Sequence, residues 1–310
     1  MPASLLPAPD ELHRLIDSWL AEDIGRGDLT TDIMIPPAAT AEFRLNARHD
    51  LVVCGIGLAA EVFRRHVPGA VVEILRSDGA RVRRGEAIAR VIGPARGLLT
   101  AERTALNLLQ FLSGIATLTA AFADRIAGTG ATLVDTRKTV PGFRMLSKYA
   151  TAVGGARNHR LALDDGVIIK DNHIAVHGSI AAAVARARAA TPSLTKIEVE
   201  CDRIDQVREA VRAGADVIML DNMDAATMRR AVALVAGRAE TEASGGITLE
   251  TARDKAASGV DYISIGRITH SAPAADIGLD VAIGPAPALR ARRPAPRSKP
   301  GARSRRRPSR

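Results

Sequence analysis

KIEVECDRIDQVREAVRAGADVIMLD, residues 196–221, is the stretch that decides the fold. KIEVE (196–200) and DVIMLD (216–221) are apolar runs of strand length, and each ends on a carboxylate. Residues 203–213 between them have the spacing of an amphipathic helix. Apolar strands separated by such helices argue for parallel strands covered by helices.

The same unit repeats on both sides. TLVDT (132–136), GVIIKD (166–171), ETEASGG (240–246) and DYISIG (261–266) read as further strands, with helical segments at 179–190, 224–236 and 249–258. A polar residue stands at or just beyond the C-terminal edge of all six strands: Asp135, Lys170, Glu200, Asp221, Ser244 and Ser264. In a closed α/β barrel these edges converge on one mouth, where ligands bind. An open doubly wound sheet would bind only at its switch point, so six polar endings favour closure.

Upstream, LHRLIDSWLAEDI places Leu12, Leu15, Ile16, Trp19 and Leu20 three and four apart, which predicts a helix. AEFRLNARH, LVVCG, AVVEILRSDG and EAIARVIGP then read as strands of a small antiparallel or mixed sheet. From Thr100 the period is helical again, through TAERTALNLLQFLSGIATLTAAFADRIAG, with Thr100 as the expected cap and Glu102 near the positive end. Gly114 marks either a break in that helix or a close contact.

A chain of 310 residues with 46% hydrophobic content can bury a large core, and 3% aromatic content means the core is built mainly from Ala, Val, Ile and Leu. No uninterrupted apolar run has membrane-spanning length, and Asp10, Glu11, His13 and Arg14 stand where a secretory segment would be apolar, so a cytoplasmic protein is expected. Cys54 and Cys201 have no ligand-like neighbours and read as buried free thiols. The net charge of +9 is local: residues 290–310 carry ten Lys/Arg and no acid, which leaves the preceding 289 residues at −1. That tail predicts disorder and weak attraction to polyanions, but it lacks the aromatics of a nucleic-acid stacking platform.

Chemistry concentrates between Asp135 and His173, where seven Lys/Arg meet four Asp. Arg137, Arg160 and His159 suit a planar dicarboxylate, since guanidinium forks match carboxylates; Lys138 and Lys170 suit phosphate oxygens. Glu200 and Asp221 fall at neighbouring positions on the mouth. They could hold hydrated Mg²⁺, bind sugar hydroxyls or stabilise a cationic anomeric carbon, or simply form salt bridges. Ser244, Gly245 and Gly246, and then Ser264 and Gly266, each place a hydroxyl and glycine after a strand, where backbone N–H groups can wrap a phosphate.

The run DTRKTVPGFRMLSKYATAVGGARNHRLALDDGVIIKDNHI, followed by KIEVE, GADVIMLDNM, EASGGIT and GVDYISIGRITHS, closely resembles the quinolinate phosphoribosyltransferase family. The resemblance extends over roughly residues 10–285, including LLTAERTALNLLQFLSGIAT. It implies an α/β fold with an N-terminal open-faced α/β sandwich and a C-terminal incomplete six-stranded α/β barrel, the type II phosphoribosyltransferase architecture. The corresponding division is 1–115 with the linking helix and a returning segment 272–289, a barrel at 116–271, and the basic tail at 290–310.

It further implies a homodimer or an assembly of dimers, with Arg103 reaching the partner's active site. Arg103, Arg137, His159 and Arg160 would form the quinolinate pocket, and Lys138 and Lys170 would lie between the two substrates. Glu200 and Asp221 would face the ribose and Mg²⁺ of phosphoribosyl diphosphate, and the two glycine turns its 5-phosphate. Lys138 is the leading candidate for a direct part in transfer, and a positioning role fits it equally. Where the family has GALTHS this chain has Gly266, Arg267, Ile268, Thr269, His270 and Ser271, so Arg267 is an added cation facing either phosphate or solvent. Competing readings are a nicotinate-type or molybdenum-transport-associated relative of the same fold, a nucleic-acid-binding or scaffold protein, and a barrel lyase using Lys170.

Overall fold

Two principal sheets, one antiparallel and one parallel, are joined by a single 32-residue helix in the computed structural model, which describes residues 5–282. The basic tail at 290–310 and the end of the expected returning segment lie outside the described residues.

Helix α1 (Pro9–Ile24) carries Asp10 and Glu11 in its first turn and buries Ile16 and Leu20. Helix α2 (Leu29–Met34) is capped by Asp28, whose carboxylate accepts the Thr31 N–H at 2.9 Å. Then come β1 (Thr40–Ala47), β2 (Leu51–Val52), α3 (Ile56–His66), β3 (Val71–Ile74), β4 (Arg81–Val82) and β5 (Ala87–Pro94). LVVCG is a strand only over its first two residues, and the helix after it was not anticipated. α3 is amphipathic, with Ile56, Leu58, Ala59, Ala60, Val62 and Phe63 buried and Gly57, Arg64 and Arg65 exposed on the other face.

The linking helix α4 (Ala95–Ile126) already runs at Ala95, with Pro94 at its N-cap, so Thr100 is not the cap. The Thr100 hydroxyl instead lies 3.0 Å from the Arg96 carbonyl and 3.1 Å from the Asp28 carboxylate. Proline suits a helix start because it has no N–H to leave unpaired. Gly114 does not break the helix: a Cβ there would sit 2.1 Å from the Pro273 carbonyl oxygen, so the residue serves a close approach of two backbones. By length and composition α4 could cross a membrane, with a mean hydropathy of 1.5 over 18 residues, but 67% of that window is buried. Its buried residues contribute to all three apolar cores, which explains the composition.

The second half builds β6 (Thr132–Val134), α5 (Arg144–Val153), β7 (Val167–Ile169), α6 (Asp171–His177), α7 (Ile180–Ala190), β8 (Ile197–Cys201), α8 (Ile204–Ala213), β9 (Val217–Asp221), α9 (Ala225–Val235), β10 (Glu240–Ser244), α10 (Leu249–Ala256), β11 (Tyr262–Ser264), α11 (Arg267–His270) and β12 (Ile277–Val281). The order β6-β11-β10-β9-β8-β7 is parallel throughout. β12 returns to the first half and completes the antiparallel sheet β12-β1-β5-β3. The barrel ladder does not close. Among the described residues no pairing joins β6 to β7, and an isolated parallel bridge from Val134 to Arg157 occupies the seam. The closure suggested by six polar endings therefore gives way to the incomplete barrel that the family pattern implies.

Successive residues of a strand face opposite sides. On β8, Ile197, Val199 and Cys201 are fully buried against the helices, whereas Glu198 and Glu200 line the barrel interior. Both cysteines are free and buried, and burial pushes the Cys201 thiol up to about 12.

Candidate active site

The C-terminal ends of the six parallel strands surround one cavity of about 580 Å³. Its wall includes Arg137, Lys138, His159, Arg160, Lys170, Glu200, Asp221, Ser244, Gly245, Gly246 and Ser264. Of the residues that the sequence assigned to a substrate, Gly266 and Arg103 do not line it. Gly266 lies just behind the Lys138 stem, whose Cδ would come within 2.9 Å of a Cβ at 266. Arg103 projects from α4 into solvent.

Strand order sets the arrangement. Asp221 and Ser244 are register partners on β9 and β10, Glu200 pairs with Met219 across β8 and β9, and Ser264 stands beside Val134 of β6. Going round the mouth, the segment bearing Arg137 and Lys138 is followed by Ser264, the Ser244–Gly246 turn, Asp221, Glu200 and Lys170. Lys170 is ion-paired with Glu200.

The glycine turn on β10 is built for close approach. Gly245 and Gly246 have φ of +82° and +61°, and a Cβ on Gly245 would lie 2.3 Å from the Asn222 Oδ1. Asn222 itself has φ of +54°, a conformation asparagine tolerates better than most residues. Lys255 of α10 donates to the Gly245 carbonyl at 3.1 Å, fixing the turn from behind. Arg267 is exposed and does not line the cavity.

On the opposite wall two cations share one region. Arg160 Nη1 donates to the Gly166 carbonyl at 2.7 Å, while the Nε atoms of Arg160 and Arg137 are buried without partners. Burial, then repulsion from Arg137, lowers the Arg160 pKa. Two neighbouring guanidinium groups with unused buried donors have the chemistry to receive a carboxylate-rich anion.

Behind them His159 Nε2 lies 3.2 Å from Glu198 and 3.3 Å from Glu242, both buried. Burial opposes a charged ring, but hydrogen bonds to the two carboxylates outweigh it and hold the cluster's proton well above the ordinary histidine range. Burial likewise raises the pKa of Glu198. Nδ1 accepts the Arg160 N–H at 2.8 Å, so the ring's own proton is on Nε2 and the further proton of the cluster is shared with the Glu198 and Glu242 carboxylates. One imidazole and two carboxylates within 4.8 Å of one another could also coordinate a divalent metal. The cluster sits between the mouth and a second cavity of about 580 Å³ that reaches the other end of the barrel past Lys196, Glu240 and Tyr262.

Glu198, Glu242, Asn222 and Lys255 escaped the sequence reading. The alternation of KIEVE and ETEAS carried the signal for the first two: Glu198 shares a strand face with Glu200, and Glu242 with Ser244. Asp135, by contrast, does not reach the mouth. It is fully buried, and its carboxylate is occupied by protein groups.

Family models describe the two halves separately: the quinolinate phosphoribosyl transferase N-terminal domain matches residues 28–113 and the C-terminal domain residues 115–280. This chain belongs to the quinolinate phosphoribosyltransferase family. Among family members, the probable nicotinate-nucleotide pyrophosphorylase (carboxylating) of Bacillus subtilis is 43% identical over 88% of this chain and 94% of its own. The nicotinate-nucleotide pyrophosphorylase (carboxylating) of Mycobacterium leprae is 44% identical over 88% and 98%. The crystal structure of NadC from Streptococcus pyogenes superimposes with a TM-score of 0.85 at 37% identity, covering 89% of this chain and 99% of that one. The shared architecture of the family is the N-terminal sandwich and six-stranded parallel barrel described above.

Proposed function

We propose that the chain joins quinolinate to 5-phosphoribosyl 1-diphosphate, giving nicotinate mononucleotide, CO₂ and diphosphate, a step of NAD synthesis. The observation that carries this reading is the division of one cavity into two chemistries. Arg137 and Arg160, whose Nε donors are buried and unpartnered, line the side where a dicarboxylate would sit, and the Asp221–Gly246 side offers carboxylates and a glycine turn.

In this mechanism Arg137 and Arg160 hold the two carboxylates of quinolinate and orient its ring nitrogen. Lys138 and Lys170, which both line the cavity, offset charge on the diphosphate as it leaves. The ring nitrogen forms a bond to ribose C1 while the C1–O bond to diphosphate breaks, the electron pair leaving with diphosphate. Glu200 and Asp221 stabilise the cationic character that develops at C1, and the turns around Ser244–Gly246 and Ser264–Gly266 receive the 5-phosphate. The quaternary nitrogen then draws in the electron pair of the C2–carboxylate bond, CO₂ departs and C2 takes a proton. Orientation accounts for that second step without a protein base.

Mg²⁺ fits the mouth better than the histidine cluster, because it favours oxygen donors with water completing its shell. Glu200 and Asp221 are partly accessible carboxylates of that kind and would hold it, directly or through water. When bound, the ion offsets charge on the diphosphate.

A homodimer or assembly of dimers completes the proposal, with Arg103 serving the partner's cavity. Its exposure supports this, as does the patch on α2 where Leu29, Ile33 and Met34 are 79%, 77% and 69% exposed. We take residues 1–115 with 272–289 as one domain and 116–271 as the catalytic one, and we place the protein in the cytoplasm. The test is release of labelled CO₂ from 2-carboxyl-labelled quinolinate by purified protein with Mg²⁺. Release that requires phosphoribosyl diphosphate and matches nicotinate mononucleotide supports the reading; turnover of nicotinate without CO₂ would replace it with the nicotinate-type reaction.

A further inference from the structure

Asp135 and Lys148 form an ion pair with no exposure on either side chain, Lys148 Nζ lying 2.5 Å from Asp135 Oδ1. Removing two charges from water costs more than their attraction returns unless further hydrogen bonds complete both groups. Here they do. Asp135 also accepts from the Thr151 hydroxyl at 2.9 Å, the Asn158 amide at 2.7 Å and the His159 N–H at 2.9 Å. Lys148 donates in addition to the His159 carbonyl at 3.1 Å. The pair thus grips residue 159 at both ends of its backbone, the acid on its N–H and the amine on its C=O.

Three segments meet at this point. Asp135 directly follows β6 and leads into Arg137 and Lys138; Lys148 and Thr151 lie on α5; Asn158 and His159 belong to the segment that fills the barrel seam. The next residue along that segment is Arg160, whose N–H is tied to the His159 ring. Nothing in the pair touches the glycine turns or the Glu200–Asp221 side of the cavity. A hydrophobic pair could fill the same space, but it could not fix the direction of a peptide group.

Resting on the proposed assignment of Arg137 and Arg160 to the dicarboxylate, we propose that Asp135 and Lys148 are positioning residues for quinolinate. They set the geometry of its receptor, chiefly through residues 158–160, without touching either substrate, while the Glu200–Asp221 and Ser244–Gly246 side that would receive phosphoribosyl diphosphate is built without them.

Two variants of the full-length protein test this: the charge-neutral double substitution Asp135→Asn/Lys148→Met, and the milder Asn158→Ala, which removes one anchor of the segment and leaves the pair intact. For each folded variant, KM is measured for both substrates, together with kcat and calorimetric affinity for quinolinate. Loss of one or two such contacts predicts a quinolinate KM raised about tenfold, with that for phosphoribosyl diphosphate within about twofold. If the double variant fails to fold, Asn158→Ala decides. Parallel changes in both KM values, or an unchanged quinolinate KM in a folded variant, would overturn the positioning role. Wild-type protein that releases no CO₂ from quinolinate would instead overturn the reaction assignment beneath it.

Discussion

Lys170 and Glu200, on the neighbouring elements β7–α6 and β8, are ion-paired across the mouth of the barrel. The pair holds a cation and an anion ready beside the cavity, and binding of a diphosphate ester would compete for the lysine. Glu200→Gln keeps the shape and removes the charge that the proposed mechanism uses as C1 becomes cationic. Turnover is expected to fall about a hundredfold, the scale of losing one electrostatic stabiliser, with little change in melting temperature. Steady-state CO₂ release and a thermal melt check both halves.

Arg137→Ala removes one of the two guanidinium forks while leaving its neighbour. Charge-assisted hydrogen bonds contribute about 1.5–3 kcal/mol, so quinolinate affinity is expected to fall by roughly ten- to a hundredfold. Affinity for phosphoribosyl diphosphate should be nearly unaffected, which calorimetry with each substrate alone would reveal.

The proton held among His159, Glu198 and Glu242 links stability to pH. The folded-state pKa, raised to about 10 for the histidine despite its burial, exceeds the unfolded value near 6.5. The stabilisation is therefore complete below about pH 6.5 and disappears as pH rises toward 10. Denaturant midpoints should fall across that interval, and Glu198→Gln/Glu242→Gln should flatten the dependence.

Gly114→Ala places a methyl where the Pro273 carbonyl oxygen would be 2.1 Å away. Since backbone on both sides must move, destabilisation of about 1–3 kcal/mol is expected. A urea titration read by circular dichroism measures it.

Removal of residues 290–310 takes away ten positive charges and no residue assigned to the site. Turnover should stay unchanged, while retention on a polyanionic resin should drop and become less salt-dependent. A large loss of activity in the shortened protein would count against the enzyme reading of the barrel alone.

The barrel and most of its mouth were legible because each parallel strand ends where its polar residue begins. Arg137, Lys170, Glu200 and Asp221 announce themselves that way. Asp135 has the same sequence signature but the opposite destiny: a carboxylate at a strand end reads alike whether it meets a ligand or closes under a neighbouring segment. The short helix after Lys170 was hidden by reading GVIIKD as strand to its end, although the backbone turns helical at Asp171. Arg103 was read through family likeness alone, since on this chain it is an exposed residue of α4 away from the cavity. Buried Glu198 and Glu242 went unseen for a different reason: attention to the last residue of each strand passes over the residue two positions earlier, which faces the same way.

The two-residue rhythm of β8 separates two tasks on one short segment. Ile197, Val199 and Cys201 speak to the helices outside, Glu198 and Glu200 to the chemistry inside. Substitutions at the odd-numbered positions can therefore tune thermal robustness while sparing the reaction, and those at Glu200 can alter the reaction while sparing the scaffold, whereas Glu198 also belongs to the buried cluster that couples stability to pH. A one-residue deletion within the strand would exchange the two vocabularies, driving carboxylates into hydrocarbon and valine into the chamber, so this segment should tolerate many replacements but no change of length.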